Sequence, residues 1–214
     1  MDIDTAKKIM GENFIGPREL GSIAARMHIQ PPAGAPEIPY GEELLLRMRN
    51  DYILILGVAQ DADGSPLTIV RLRDIFGTDP AKAEPCMYNQ DWYLNEKFAR
   101  ETTLGNQWYL IKKQVEDGSR ASTPEEIEAS FEDREQFPSA ILTVFTFLAY
   151  YMLQKGACLW EHDFVWCSDT DSNGDRIYTG RYRDPQGISK NGFNIHRHLS
   201  IRPCYGVAPM IIPQ

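Results

Sequence analysis

The spacing of apolar positions changes repeatedly along this chain, and each change marks an element. Residues 5 to 10 carry the pattern of a short helix, capped by Thr5 or Asp4 and stopped by Gly11. Pro17 opens a second helix running to Met27, because proline suits a first helical turn, and Leu20, Ile23, Ala24 and Met27 share one face. The proline-rich stretch 31–39 reads as an extended linker. A short helix over 42–49 follows. Residues 52 to 59 then form a continuous apolar run that predicts a buried strand, with Asp61 to Gly64 as its turn. Residues 67–71 return as a strand or the start of a helix, and 72–76 as a helical turn before Gly77. Leu94 and Phe98 stand four apart in a predicted helix over 92–100, and 107–112 reads as a strand.

The second half separates into three parts. Residues 116–135 hold eight carboxylates and two arginines, the pattern of a solvated face. Inside that segment, Ser122-Thr123-Pro124-Glu125-Glu126 is a helix start. The longest apolar run, Ala140 to Leu153, lies in a helix predicted over 138–155. It falls short of the ~20 residues that span a bilayer and contains Thr143 and Thr146, so it reads as a buried helix. Beyond Gly156 the spacing turns to β. Strands are expected at 164–167, 177–182, 188–195 and 199–207, and Asp171-Ser172-Asn173-Gly174 forms a hairpin turn between the first two. The organisation that follows is a helical segment over 1–30, a linker over 31–39 and one α+β domain over 40–214.

Composition changes this picture little. The chain has 214 residues, 43% hydrophobic and 24% charged, ordinary for one globular unit that folds without a staple. Its 22 Lys and Arg against 30 Asp and Glu give a net charge of −8, which makes nucleic acid an unfavoured partner for the molecule as a whole. The first residues lack a basic stretch followed by an apolar one, so a cytoplasmic protein is expected, with export by another route left open. Cys86, Cys158, Cys167 and Cys204 show no C-x-x-C or zinc spacing. They read as free thiols in a reducing compartment, or as a Cys167–Cys204 bridge in an exported protein.

Several segments carry a resemblance. Asn13 to Leu20, Ile38-Pro39-Tyr40, Asp51 to Gly57, Tyr88 to Tyr93 and Trp108 to Lys113, in that order, are similar to a family of uncharacterised bacterial proteins common in candidate-phylum genomes. Phe164-Val165-Trp166-Cys167-Ser168, the hairpin and the closing Arg202 to Ala208 resemble the end of a C-type-lectin-like domain. Similar ends occur in the Fibrobacter-type paralogous domain and in variable proteins diversified by retroelements. The usual closing strand there is Gly-Phe-x-Val-Arg, where this chain has Tyr205-Gly206-Val207-Ala208. The resemblance implies a mixed sheet with two flanking helices and irregular C-terminal loops that present a ligand surface. Members of that fold mostly bind rather than catalyse.

Candidate chemistry concentrates in the same quarter. Asp169, Asp171, Asn173 and Asp175 around Gly174 resemble half of a calcium loop, or else form only the hairpin turn; the bidentate Glu of an EF-hand is absent. His196 and His198, with His162 beside Glu161 and Asp163, offer the start of a metal site and an alternative reading as a metal-assisted hydrolase. Six basic residues lie between Arg176 and Arg202 against one aspartate, interleaved with Tyr178, Tyr182 and Phe193. They either pair with the acidic 116–135 segment or face a ligand. A nucleic-acid accessory role is a third reading of that stretch. Nucleophile elbows, phosphate-binding loops, dinucleotide fingerprints and zinc-protease motifs are missing from the sequence. The expected function is therefore a non-enzymatic binding protein for a protein or glycan partner, with no cofactor beyond a possible calcium. Its recognition surface is placed at Trp166, Tyr178, Tyr182, Asn191, Asn194, His196, Arg197, His198 and Arg202.

Overall fold

The computed structural model describes residues 1–30, 34–82, 84–181, 192–197 and 200–213, so expectations for Tyr182, Asn191 and His198 lie outside the described residues. Helix α1 (Ile3–Met10) starts two residues before the expected Thr5. Asp2 is the cap, its carboxylate accepting from both the N–H and the hydroxyl of Thr5. After the short strand β1 (Phe14–Ile15), α2 (Pro17–Met27) has the predicted bounds. Glu19 folds back to accept from the Gly16 N–H and also takes the Lys7 ammonium at 2.5 Å, tying α1 to α2.

Helix α3 (Glu42–Met48) leads into β2 (Tyr52–Leu56), every residue of which is buried. Thr68 caps α4 (Ile69–Phe76). The helix expected over 92–100 shrinks to α5 (Lys97–Arg100). The cause is tertiary: Trp92 donates its indole N–H to the Ile195 carbonyl, and Arg197 lies 4.9 Å over its ring, so the chain here is shaped to a neighbouring strand. Next come β3 (Trp108–Lys112), α6 (Pro124–Ser130) with the predicted Thr123/Glu126 capping box, and β4 (Glu135–Gln136).

Helix α7 (Ala140–Leu153) is buried without a break from Ala140 to Tyr150. It packs against α2, α4 and α5, and also against strands β5 (Phe164–Thr170) and β6 (Arg176–Arg181). Strands β7 (Phe193–Arg197), β8 (Tyr205–Gly206) and β9 (Met210–Ile211) complete the fold.

The strands form two mixed sheets, in the orders β1-β2-β3-β9-β4 and β7-β6-β5-β8. In the first, β1 runs parallel to β2 and the other pairs are antiparallel. In the second, β8 runs parallel to β5. The architecture is thus α+β, with seven α-helices among the described residues where the resemblance implied two flanking one sheet. The main hydrophobic core takes in Met10, Leu20 and Met27 from the first thirty residues together with the body of the chain. No helix among the described residues is long and apolar enough to cross a membrane. Cys86, Cys158, Cys167 and Cys204 form no disulfide among the described residues.

Candidate functional site

Alternation along the second sheet decides where its side chains go. Val165, Cys167, Ile177, Thr179 and Ile195 face α7, while Trp166, Tyr178 and His196 form a cross-strand row on the other side. That outer row is not a free surface. Ile127 of α6, Phe137, Tyr205 and Val207 close over it as a second small core. Trp166 and Tyr178 are each only 2% exposed, so these two members of the expected recognition surface fill a core instead. Asn194 is also buried, its amide donating to the Gly192 carbonyl. The reason is physical: alternating aromatics look the same in sequence whether water or another element covers them.

The other expected residues divide. His196 is half-buried, stacked 5.6 Å from the Tyr178 ring and within 3.1 Å of the Gln90 amide. Arg197 donates to Asp171 at 2.6 Å and covers Trp92. Arg202 is exposed. The basic stretch meets the acidic segment at one place among the described residues, Arg176 with Glu128 at 3.8 Å. Arg181 instead pairs with Glu84 through both terminal guanidinium nitrogens.

The expected calcium loop is not assembled: the ligand atoms of Asp169, Asp171 and Asp175 do not lie within 4.8 Å of one another. Asp171 Oδ1 accepts from the N–H groups of Asn173 and Asp175, and Oδ2 accepts from Arg197. Both oxygens of Asp171 are thus taken within the protein, and Arg197 supplies the positive charge beside it. Asp169 is spent elsewhere, accepting from the Ala140 N–H at the start of α7. The hairpin-turn alternative describes what is seen.

The hydrolase constellation is likewise not assembled among the described residues. His162 precedes β5 and Asp171 follows it, and a seven-residue strand holds its ends roughly 20 Å apart. A different group does converge: ligand atoms of His28, Asp61 and Asp63 lie within 4.8 Å of one another. Arg71 already supplies the cation there, donating to Asp61 at 2.6 Å and to Asp63 at 3.1 Å. Burial raises the Asp61 pKa, but Arg71 and the Ser65 and Asp63 N–H groups outweigh it and hold the carboxyl below its ordinary range.

One feature with room for a ligand is a cleft of about 460 Å³ between two segments distant in sequence; a second hollow, of about 440 Å³, lies between the first residues and Ala35 to Glu37. One wall of the cleft is 113–120, which leaves β3 and passes through a short 3-10 turn. The other is 158–163, which enters β5; Tyr150 of α7 lies between them. Arg120 spans the walls with two bonds to Asp163, at 2.6 and 2.9 Å, and also donates to Asp117. These carboxylates push the guanidinium pKa further up. The Lys113 ammonium lies 6.0 Å from the Tyr150 ring and makes no ion pair with any described residue.

The 158–163 wall is built at a cost. Trp160 (φ 49°) and His162 (φ 64°) both sit in the left-handed region, which costs a bulky residue about 1–3 kcal/mol. The His162 N–H donates to the Arg181 carbonyl at 2.8 Å. Gly180 permits the approach, since a Cβ there would collide with the Asp163 carbonyl oxygen. Trp160 is 4% exposed, and its indole N–H has no acceptor among the described residues. In the sequence, the cluster Glu161-His162-Asp163 was the one local sign of this wall; nothing in the spacing joined it to Lys113 or Arg120.

No protein-family model, no curated protein and no solved structure matches this chain.

Proposed function

We propose that this chain is a non-enzymatic binding protein whose ligand occupies the cleft between 113–120 and 158–163. One coincidence carries the reading. The same short wall holds two non-glycine residues in a strained backbone conformation and a buried indole donor without an acceptor, and it borders the cleft. Strain and orphaned donors cost stability, and they concentrate where structure serves binding. The C-type-lectin-like reading stays with the C-terminal part as a proposal about fold. It is supported by the β5–β6 hairpin and by the closing strand β8 beside β5.

The test is an NMR screen of the full chain labelled at indole nitrogen, with the Trp160 resonance assigned through Trp160→Phe and a mixed library of small polar compounds. The expected result is a subset of compounds that shifts the Trp160 signal while Trp92 and Trp108 stay still. A library that leaves Trp160 unmoved sinks the proposal.

A further inference from the structure

Five of the cleft's lining residues carry formal charge, two positive (Lys113, Arg120) and three negative (Asp117, Glu161, Asp163). That set restricts what can enter. A polyanion such as phosphate meets a net negative lining and one cation already committed to Asp163 and Asp117. An apolar ligand strips water from charged groups and returns nothing for it. A simple cation meets the carboxylates but is set against Lys113, whose ammonium has no carboxylate partner among the described residues. A ligand carrying both signs answers both the unpaired ammonium and the net negative lining.

Resting on the cleft reading above, we propose that the ligand is a small zwitterion of the amino-acid or short-peptide class. Its carboxylate pairs with Lys113 and its ammonium with Asp117, which lines the cleft and whose Oδ2 accepts from no described residue. The half-buried position of Lys113 beside the Tyr150 ring makes its ion pair less screened than a surface one. Arg120, held by two bonds to Asp163, keeps the walls at a fixed separation, so the charges are arranged before the ligand arrives. The cleft volume of about 460 Å³ leaves room beyond a single free amino acid, and Val115, Leu159 and Trp160 supply an apolar part for a side chain.

The experiment compares four probes on the full chain, by calorimetric titration and by the Trp160 indole signal: Ala-Ala, N-acetyl-Ala-Ala, Ala-Ala-amide and inorganic phosphate. Ala-Ala is expected to bind. Blocking either terminus is expected to weaken it at least about tenfold, the scale of one lost charge-assisted contact. Lys113→Gln is expected to lose Ala-Ala affinity to the same extent with its melting temperature unchanged, because that ammonium holds no structural ion pair. Equal binding of the blocked and free dipeptides, or tighter binding of phosphate, overturns the zwitterion. So does silence from all four probes while other library members shift Trp160, and the cleft reading then stands. Silence from the whole library takes down both.

Discussion

Thr143 and Thr146 lie one turn apart on α7, both fully buried, with opposite hydrogen-bonding circumstances. The Thr143 hydroxyl donates to the Ala140 carbonyl and accepts from Thr179, each at 2.8 Å, joining the helix to β6. The Thr146 hydroxyl has no partner among the described residues. A buried polar group without a partner costs about 1–3 kcal/mol, while a satisfied one contributes about 1 kcal/mol. Thr146→Val is therefore expected to raise stability by about 1 kcal/mol. Thr143→Val is expected to lower it by a similar amount or more, since it also takes away the oxygen that accepts from Thr179. Urea unfolding of the two variants checks this, and the same sign for both contradicts it. The sequence showed two threonines in an apolar run but could not tell them apart, because the partner Thr179 arrives from a strand far along the chain.

At the level of elements, the hairpin between β5 and β6 shows what local pattern can carry. Asn173-Gly174 marked the turn, and Gly174 does adopt φ 89°. The spacing did not reveal that Asp171 is the turn's keystone, with a side chain wholly shielded from water. Burial pushes the Asp171 carboxyl up, yet Arg197 and the Asp175 and Asn173 N–H groups hold it below its ordinary value of 3.8. A lowered folded-state pKa contributes stability that is present above the unfolded value and lost as pH falls through the folded one. Asp169 runs the other way. Burial raises its pKa against the opposing Ala140 N–H, so its contribution is present at low pH and lost as pH rises through the raised value. Asp171→Asn should then be less stable than the parent at pH 7 by about 1–2 kcal/mol, with the gap closing in acid. Asp169→Asn should be at least as stable as the parent at pH 7. Melting curves from pH 2.5 to 7 test the pair. Helices α2 and α7 were legible because proline, apolar periodicity and a long apolar run act within the element itself. The helix over 92–100 was not, because Trp92 answers to Ile195 and Arg197.

Across the whole molecule, the first thirty residues are part of the structural frame. Phe14 and Ile15 pair with Leu54 and Ile55, and α2 packs on α7, so this segment covers both an edge of β2 and a face of the central helix. A chain beginning at Tyr40 is expected to lose cooperative unfolding and to bind hydrophobic dye; retention of a sharp melting transition near the parent's argues against it. The acidic 116–135 segment also gains a role at this scale. It is a solvated face only in part: Arg120 closes the cleft, Ile127 caps the second core, and β4 joins the first sheet. Charge counting alone hides those three positions. The cleft was the least legible feature of all, since it exists only once residues near 113, 150 and 160 are brought together.

Strand β9 sits between β3 and β4, and β4 touches no other strand of that sheet. During synthesis the slot beside β3 therefore stands open long after β3 itself has emerged, with the Leu110–Ile111 backbone unpaired on that side. A nascent chain exposes this gap until Met210 and Ile211 leave the ribosome, and a foreign strand arriving first would compete for the same edge.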